Sequence, residues 1–356
     1  MAPPAKVYLQ YIPVAATAVF TALVYYFIDY ILWCTVTGCV LYAAVVYFFK
    51  SDAPSQIDPT GKAILITGCD AGLGNELATR AHKLGFTVFA GCLNDNTEGP
   101  RALQATFEER MHVLKMDVTK DGEVTEALKY VQDRCRSTGL WAVVNNAGID
   151  GGGPVELCSM KFYKDVCEVN LFGAIRVSKA FLPLVRQAKG RVINVSSERG
   201  RLARGGNSTY CISKYGLEAF SDALRHEMRR FGVQVSLIEP GHFGGATAIL
   251  LEHNIEMFRK RLFDGFNSAS DDVRNAYPQE VAEQAVKDKY ISVKHSPKSC
   301  DIVLDVMERQ LIEVKVSPRY LIGGTNSIVD LRVVYIFLKS FLPDQVMDYL
   351  LEKIPV

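Results

Sequence analysis

The chain has 356 residues, 49% of them hydrophobic, which is enough to bury a full core in one large domain. Forty basic residues against thirty-nine acidic ones leave a net charge of +1, a balance that excludes the basic footprint of a nucleic-acid-binding protein. Nine cysteines (34, 39, 69, 92, 135, 158, 167, 211 and 300) form no C-x-x-C pair and no even framework, so the sequence reads as that of a reduced compartment.

The N-terminus is the low-charge zone. Between Lys6 and Lys50 the sole formal charge is Asp29. Val14–Ile28 gives fifteen mostly apolar residues and Ile31–Phe49 gives nineteen. The second run is long enough for one transmembrane helix. The first is marginal unless Val7–Ile12 join it across Pro13. Two arrangements follow: two spans that turn at Asp29 and Tyr30, or one span after an interfacial segment. A buried core hairpin is the bland rival. A signal peptide would need a positive start and a shorter apolar core, and no arginine precedes Arg80 to suggest a mitochondrial presequence. Residues 1–50 are therefore expected to be a membrane anchor. Orientation is open, because Lys6 and Lys50 balance. Sequons at Asn194 and Asn207 favour a cytosolic face: the first lies in a run that reads as a buried strand, and a glycan on the second would crowd the site described below.

Ser51–Thr60, polar with two prolines, reads as a linker, and the expected linker segment is 51–61. Short apolar runs then alternate with helical patterns. Strands are expected at Lys62–Thr67, Thr87–Gly91, His112–Met116, Trp141–Asn145, Arg191–Ser196, Val233–Glu239 and Arg319–Ile322. Helices are expected at Glu76–Leu84, Glu123–Arg136, Tyr163–Ala188 and Thr209–Phe231. Continuous apolar strands alternating with helices predict a parallel sheet covered on both faces. The fold class is α/β: a Rossmann-type doubly wound sheet in residues 62–250, N-terminal membrane helices, and a C-terminal helical extension, 251–356, that carries the last strand.

Strand one runs straight into T-G-C-D-A-G-L-G, Thr67–Gly74, and then a helix. Gly68, Gly72 and Gly74 allow a tight turn and a close backbone approach, and the helix N-terminus can hold a pyrophosphate. Such glycine spacing alone also arises in structural turns. Its place after the first strand of an alternating chain is what points to a nucleotide. Downstream, Tyr210 and Lys214 stand four apart and share a helix face. The ammonium favours the phenolate and pulls the phenol down from its ordinary pKa of about 10. A phenol tuned this way can take a proton from an alcohol or return one to a carbonyl. Ser197, thirteen positions upstream, can hold the same oxygen.

Thr67–Gly74, Asn145-Asn146-Ala147-Gly148, Asn170, Ser197, Tyr210, Lys214 and Pro240-Gly241 occur in the order and spacing of the short-chain dehydrogenase/reductase family, and the resemblance covers about Lys62–Leu250. Within the family the chain resembles the branch of retinol dehydrogenases, 17β-hydroxysteroid dehydrogenases and 3-hydroxybutyrate dehydrogenase. The stretches TGCDAGLG, VFAGCL, GRVINVSS, YCISKYGLEAFSDALRHEM and EPGHF carry that likeness, with the tail PRYLIGG and FLPDQVMDYLL.

The resemblance implies roles. Tyr210 is the general acid/base, Lys214 lowers its pKa and binds the nicotinamide ribose, Ser197 orients the substrate oxygen, and Asn170 anchors a water in the proton relay. Thr67, Gly68, Asp70, Gly72, Leu73 and Gly74 form the cofactor turn. Asn145, Ala147 and Gly148 line its floor, Asp117 with Val118 meets the adenine, and Pro240, Gly241, Phe243 and Thr247 meet the nicotinamide side. The bland rivals are a helix-bridging role for Asn170, a strand-end turn for Asp117, a turn residue bonding its own backbone for Asp70, and a pocket wall for His242. No metal site is expected.

A 2′-phosphate would want arginine or lysine near the turn or just after strand two. Cys69, Asp70 and Ala71 fill the first place and Cys92, Leu93 and Asn94 the second, so NAD is expected over NADP. The ribose-binding acid expected at the end of strand two is also missing, since Asp95 comes a few residues late. The segment His253–Phe266 has an apolar face and reads as a lid, a membrane-surface helix or core. With the anchor, it points to a lipophilic, steroid- or retinoid-like substrate. One departure favours 3-hydroxybutyrate instead. Ser197 is followed by Glu198, Arg199, Arg201 and Arg204, which read mainly as a solvated loop, but Arg201 or Arg204 turned inward would suit a carboxylate. A non-catalytic nucleotide-binding scaffold is the rival of another class. The resemblance implies a homodimer or homotetramer paired through Tyr163–Ala188 and Thr209–Phe231. The expected location is a membrane, that of the endoplasmic reticulum first and the mitochondrion as the alternative.

Overall fold

A computed structural model describes residues 12–48, 55–107, 109–324, 330–339 and 341–353. The chain divides into two compact units, Met1–Ser55 and Gln56–Val356.

In the first unit Ile12–Phe48 is one helix of 37 residues, α1. This corrects the expectation of membrane helices in the plural. The helix passes through Asp29 and Tyr30 without a turn, because neither residue breaks helix and one charge among apolar neighbours does not end the pattern. Pro13 sits in the first turn, where its missing N–H costs nothing. Within α1, Leu23–Ala43 is long and apolar enough to cross a membrane by length and composition, and none of it is buried. Val7–Tyr11 and residues 51–54 of the expected linker lie outside the described residues.

The second unit is built on seven strands: β1 Ala63–Thr67, β2 Thr87–Cys92, β3 Met111–Lys115, β4 Ala142–Asn145, β5 Arg191–Val195, β6 Gln234–Pro240 and β7 Arg319–Ile322. Their order is β3-β2-β1-β4-β5-β6-β7, every pair parallel. β1 and β4 are buried along their whole length, as a strand with helices on both faces must be. The helices are α2 Gly72–Leu84, α3 Glu98–Thr106, α4 Asp121–Arg134, α5 Met160–Cys167, α6 Ala174–Ala188, α7 Ser208–Met228, α8 Glu252–Ser268, α9 Asp271–Ala276, α10 Gln279–His295, α11 Asp301–Ile312, α12 Leu331–Leu338 and α13 Asp344–Lys353. On one face Leu77, Ala78 and Ala81 of α2 and Val303, Leu304, Met307 and Leu311 of α11 pack on Ile64, Ile66 and Val144. On the other, Val131 of α4, Val177 and Phe181 of α6 and Leu224 of α7 pack on Leu65, Val143 and Val192.

Two elements differ from the sequence reading. The helix expected over Tyr163–Ala188 is broken by a π-helical stretch, Glu168–Gly173, that widens one turn between α5 and α6. Helix α3 was not expected, because its short sequence EGPRALQAT buries only Pro100 and Leu103. A third core lies beyond the sheet. There Ile255, Phe258 and Leu262 of α8 meet Leu157, Phe162 and Val166 on one side and Ala282 and Val286 of α10 on the other. The apolar face of His253–Phe266 is thus buried against protein.

Candidate active site

In-register pairing brings the C-terminal ends of β1, β4, β5 and β6 to one edge of the sheet. Asn145 pairs with Asn194, and Val195 with Ile238. Sheet order reverses between β1 and β4, the switch point where doubly wound sheets open a crevice. A cavity of about 1630 Å³ lies there.

Its floor is the glycine turn. Gly68 and Gly72 have φ of +71° and +59°, and a Cβ on Gly74 would lie 2.3 Å from the Gly68 carbonyl oxygen. Helix α2 begins without a side-chain cap, so its first N–H groups are left for a ligand. The turn is held from below. Thr67 Oγ1 accepts from the N–H groups of Asn146 and Ala147, each at 3.0 Å, and the Asn146 amide donates to Thr67 O and Gly68 O at 2.9 and 3.2 Å. Asp70 reaches sideways, its carboxylate accepting from the Leu93 and Asn94 N–H groups at 3.0 and 2.9 Å. The uncapped helix start, the backbone-lined turn and the open cavity above them fit a dinucleotide.

The wall beside β5 carries the chemistry. Helix α7 places Tyr210 and Lys214 on one face, and the Lys214 ammonium stands 5.6 Å from the Tyr210 ring centre. Lys214 is buried and donates to the Val195 carbonyl at 2.9 Å. Burial pushes its pKa down to about 8, against an opposing pull from Glu218. Tyr210 lines the cavity and hydrogen-bonds Ser197. Burial pushes its phenol up and Asp150 adds to that, while the Ser197 hydrogen bond and Arg199 pull it down. The sequence reading gave the lysine charge the main role; in the structure burial is the largest influence on the phenol, followed by Asp150. Ser197 Oγ also accepts from Arg199 N at 3.2 Å.

Gly68, Asp70, Gly72, Leu73, Ala147, Gly148, Ser197, Tyr210, Lys214, Pro240, Gly241, Phe243 and Thr247 line the cavity together. Thr67, Gly74, Asp117, Val118, Asn145 and Asn170 do not. Gly74 and Thr67 shape the turn from beneath. Asn145 donates to Ser178 and Asn194 in the interior, at 2.8 and 2.7 Å. Asp117 accepts from Thr119 N and Oγ1 at 3.0 and 2.7 Å, as a turn residue does. Val118 is buried against Gly173. Asn170, in the widened turn, accepts from Ile149 N at 2.8 Å and donates to Ile149 O and Ser213 Oγ, both at 3.0 Å. It thereby ties the Ile149 backbone to the Ser213 side chain of α7.

The loop after Ser197 departs from its expected solvated character. Glu198 is 2% exposed, held by Arg199 at 3.7 Å and by Arg332 of α12 at 3.6 Å. Burial pushes its carboxyl up, and the two arginines pull it back. Arg201 faces Glu239 at 3.4 Å, whereas Arg199, Arg204 and Arg332 line the cavity. His242 is also cavity wall, with Nε2 2.9 Å from both the carbonyl and the hydroxyl oxygen of Ser292. Asn146, inside the Asn145–Gly148 stretch expected to line the cofactor floor, is on the cavity wall, but Asp150, Lys289 and Arg332 were missed. Asp150 had a signal in directly following that stretch, but Lys289 and Arg332 had none, since only folding brings α10 and α12 to the site.

A seven-stranded doubly wound sheet with a glycine turn at its switch point and a Ser–Tyr–Lys wall defines a Rossmann-type, dinucleotide-binding fold of the short-chain dehydrogenase class. The short chain dehydrogenase family profile matches residues 62–254, just over half of the chain. The chain is 50% identical over 200 residues to the D-beta-hydroxybutyrate dehydrogenase, mitochondrial, of Bos taurus, an alignment covering 55% of this chain and 58% of that protein. It is 38% identical to retinol dehydrogenase 16 of Homo sapiens, over 80% of this chain and 87% of that one. A solved short-chain dehydrogenase from Streptomyces avermitilis superposes with a TM-score of 0.62 at 26% identity, covering 85% of this chain and 96% of that one. The chain belongs to the short-chain dehydrogenase/reductase family, oxidoreductases whose fold binds NAD(P).

Proposed function

We propose that the protein is an NAD-preferring oxidoreductase that interconverts an alcohol and its carbonyl on a lipophilic, steroid- or retinoid-like substrate. The observation that carries this is the convergence of Tyr210, Lys214 and Ser197 on one wall of the cavity whose floor is the glycine turn. When bound, the cofactor supplies the hydride acceptor or donor. Tyr210 takes or returns the hydroxyl proton, Ser197 holds the same oxygen, and Lys214 lies where its charge favours the phenolate. Asp70, Leu93, Asn94 and Glu98 form the corner beside the turn with no cation among them, which disfavours a 2′-phosphate and supports NAD. Ile249, Leu250, Leu251 and Phe258 give the substrate side an apolar wall. Leu23–Ala43 supports membrane association; the endoplasmic reticulum is the first membrane proposed and the mitochondrial membrane the alternative. Exposed Phe172 in the widened turn, with Ile212 and Tyr215 of α7, supports pairing of copies through these helices.

A second reading has its own observation. Arg199, Arg204 and Arg332 all line the cavity, a cationic wall suited to the carboxylate of a hydroxy acid such as 3-hydroxybutyrate. Comparing kcat/KM for oestradiol, retinol and 3-hydroxybutyrate, each with NAD and NADP, separates the two. Preference for a lipophilic alcohol with NAD supports the first reading, and preference for the acid installs the second. No turnover of any of them under either cofactor would restore the non-catalytic scaffold.

A further inference from the structure

Helix α10, some 140 residues from β4 in sequence, reaches back into the site through Lys289. The Lys289 ammonium stands 2.5 Å from Asp150 Oδ2, donates to the Gly151 carbonyl at 3.0 Å and lies 4.9 Å from the Phe258 ring centre. Both partners are largely enclosed, at 17% and 15% exposure. The loop they hold is pressed against the catalytic tyrosine's own backbone: a Cβ on Gly151 would lie 2.5 Å from Thr209 Oγ1 and 3.2 Å from Tyr210 N. The helix is tied to the site again by Ser292, which contacts His242, and just past its end by Ser296 Oγ, which accepts from Gly245 N at 2.7 Å.

We propose that the Asp150–Lys289 pair is a latch that couples docking of α10 to the proton chemistry of Tyr210, with Lys289 a positioning residue that acts through Asp150. The proposal rests on Tyr210 being the acid/base group. With α10 docked, Lys289 offsets part of the Asp150 charge that bears on the phenol. With α10 lifted, that negative charge stands uncompensated beside the phenol and holds it protonated. Proton abstraction is thereby reserved for the state in which α10 covers the site. The groups that face Tyr210 are Asp150 from the loop after β4, Ser197 and Arg199 from the turn after β5, and Cys211 and Lys214 from its own helix. Lys289 faces Asp150 from α10.

The test uses the full chain in detergent and two readouts. The first is the pH profile of kcat/KM for alcohol oxidation. Lys289→Met is expected to move the acidic limb up by about one unit or more, Asp150→Asn to move it down, and the double variant to follow Asp150→Asn. Lys289→Arg is expected to restore the wild-type midpoint. The second needs no turnover: tyrosinate absorbance near 295 nm at pH 10, each protein read against its own Tyr210→Phe counterpart. Asp150→Asn is expected to show more phenolate than wild type. Variants that lose rate with unmoved midpoints, or Asp150→Asn without added phenolate, would overturn the latch. A wild type that oxidises no alcohol defeats the reading of Tyr210, and the absorbance comparison then still decides whether Asp150 governs the phenol.

Discussion

Tyr210 must release a proton where burial and Asp150 hold it, and the chain's answer is to place Ser197, Arg199 and the Lys214 ammonium around the same ring. Tyr210→Phe keeps the shape and removes only the ionisable oxygen, so kcat/KM for alcohol oxidation should fall by about 10³-fold or more while the melting temperature stays within about 2 °C. A variant that kept full rate would remove the catalytic assignment. Lys214 carries a cost in stability. It titrates near 8 in the fold against an ordinary value near 10.5, so between those pH values the unfolded chain binds more protons and wild-type stability climbs with pH. Below that window the burial penalty is constant and complete. Lys214→Met should therefore stabilise the cofactor-free protein at pH 7 by about 3 kcal/mol, with the gain shrinking between pH ~8 and ~10.5 and gone above that, and with activity lost throughout. Urea melts at pH 7 and pH 10.5 measure the difference. A gain equal at both pH values would mean that charge burial is not its source.

At the scale of elements, spacing was legible and reach was not. The strands carried apolar runs flanked by turn residues, so all seven were expected within a residue or so of where they lie. The Tyr–Lys spacing of four put both groups on one face of α7. The resemblance gave Asn170 a water-anchoring role and Asp117 an adenine contact; in the fold Asn170 bonds the Ile149 backbone and Ser213, and Asp117 accepts from Thr119, so their polar atoms are engaged in a widened turn and a strand-end turn. No local pattern announces a π-helical turn, and none announces that Arg332 will meet Glu198 across 134 residues. The glycine turn gives this scale its prediction. A Cβ on Gly74 meets a backbone oxygen that cannot swing aside, so Gly74→Ala should cost about 2–3 kcal/mol and weaken NADH binding at least tenfold. Gly122 in α4 has nothing within 4 Å, so Gly122→Ala should be neutral or stabilising by up to about 1 kcal/mol. Thermal melts and NADH fluorescence titration report both, and equal effects at the two positions would refute the steric account.

For the whole molecule, the division falls between Ser55 and Gln56, and the physical reason lies just after it. Gln56 bridges Glu313, and Ile57 donates to the Ile312 carbonyl at 2.8 Å while packing on the core beneath α2 and α11. The catalytic unit thus begins with a short segment fastened to the end of α11, whereas α1 has its apolar side chains exposed over Leu23–Ala43 and buries none of them in protein. A segment of that length and apolarity suits lipid or detergent better than water. A chain starting at Gln56 should stay soluble without detergent, keep NADH affinity within about twofold and melt within about 2 °C of the full protein, since the segment that fastens onto α11 is kept whole. A chain starting at Lys62 removes the Ile57 contact and exposes the core end of α11, and should melt several degrees lower, about 4 °C if the loss is 1–2 kcal/mol. Gel filtration without detergent and thermal melts of the two proteins make the comparison. If the chain from Gln56 aggregates while the full protein in detergent melts cooperatively, the first unit does more than hold the enzyme at a membrane, because the catalytic unit would then depend on it to fold.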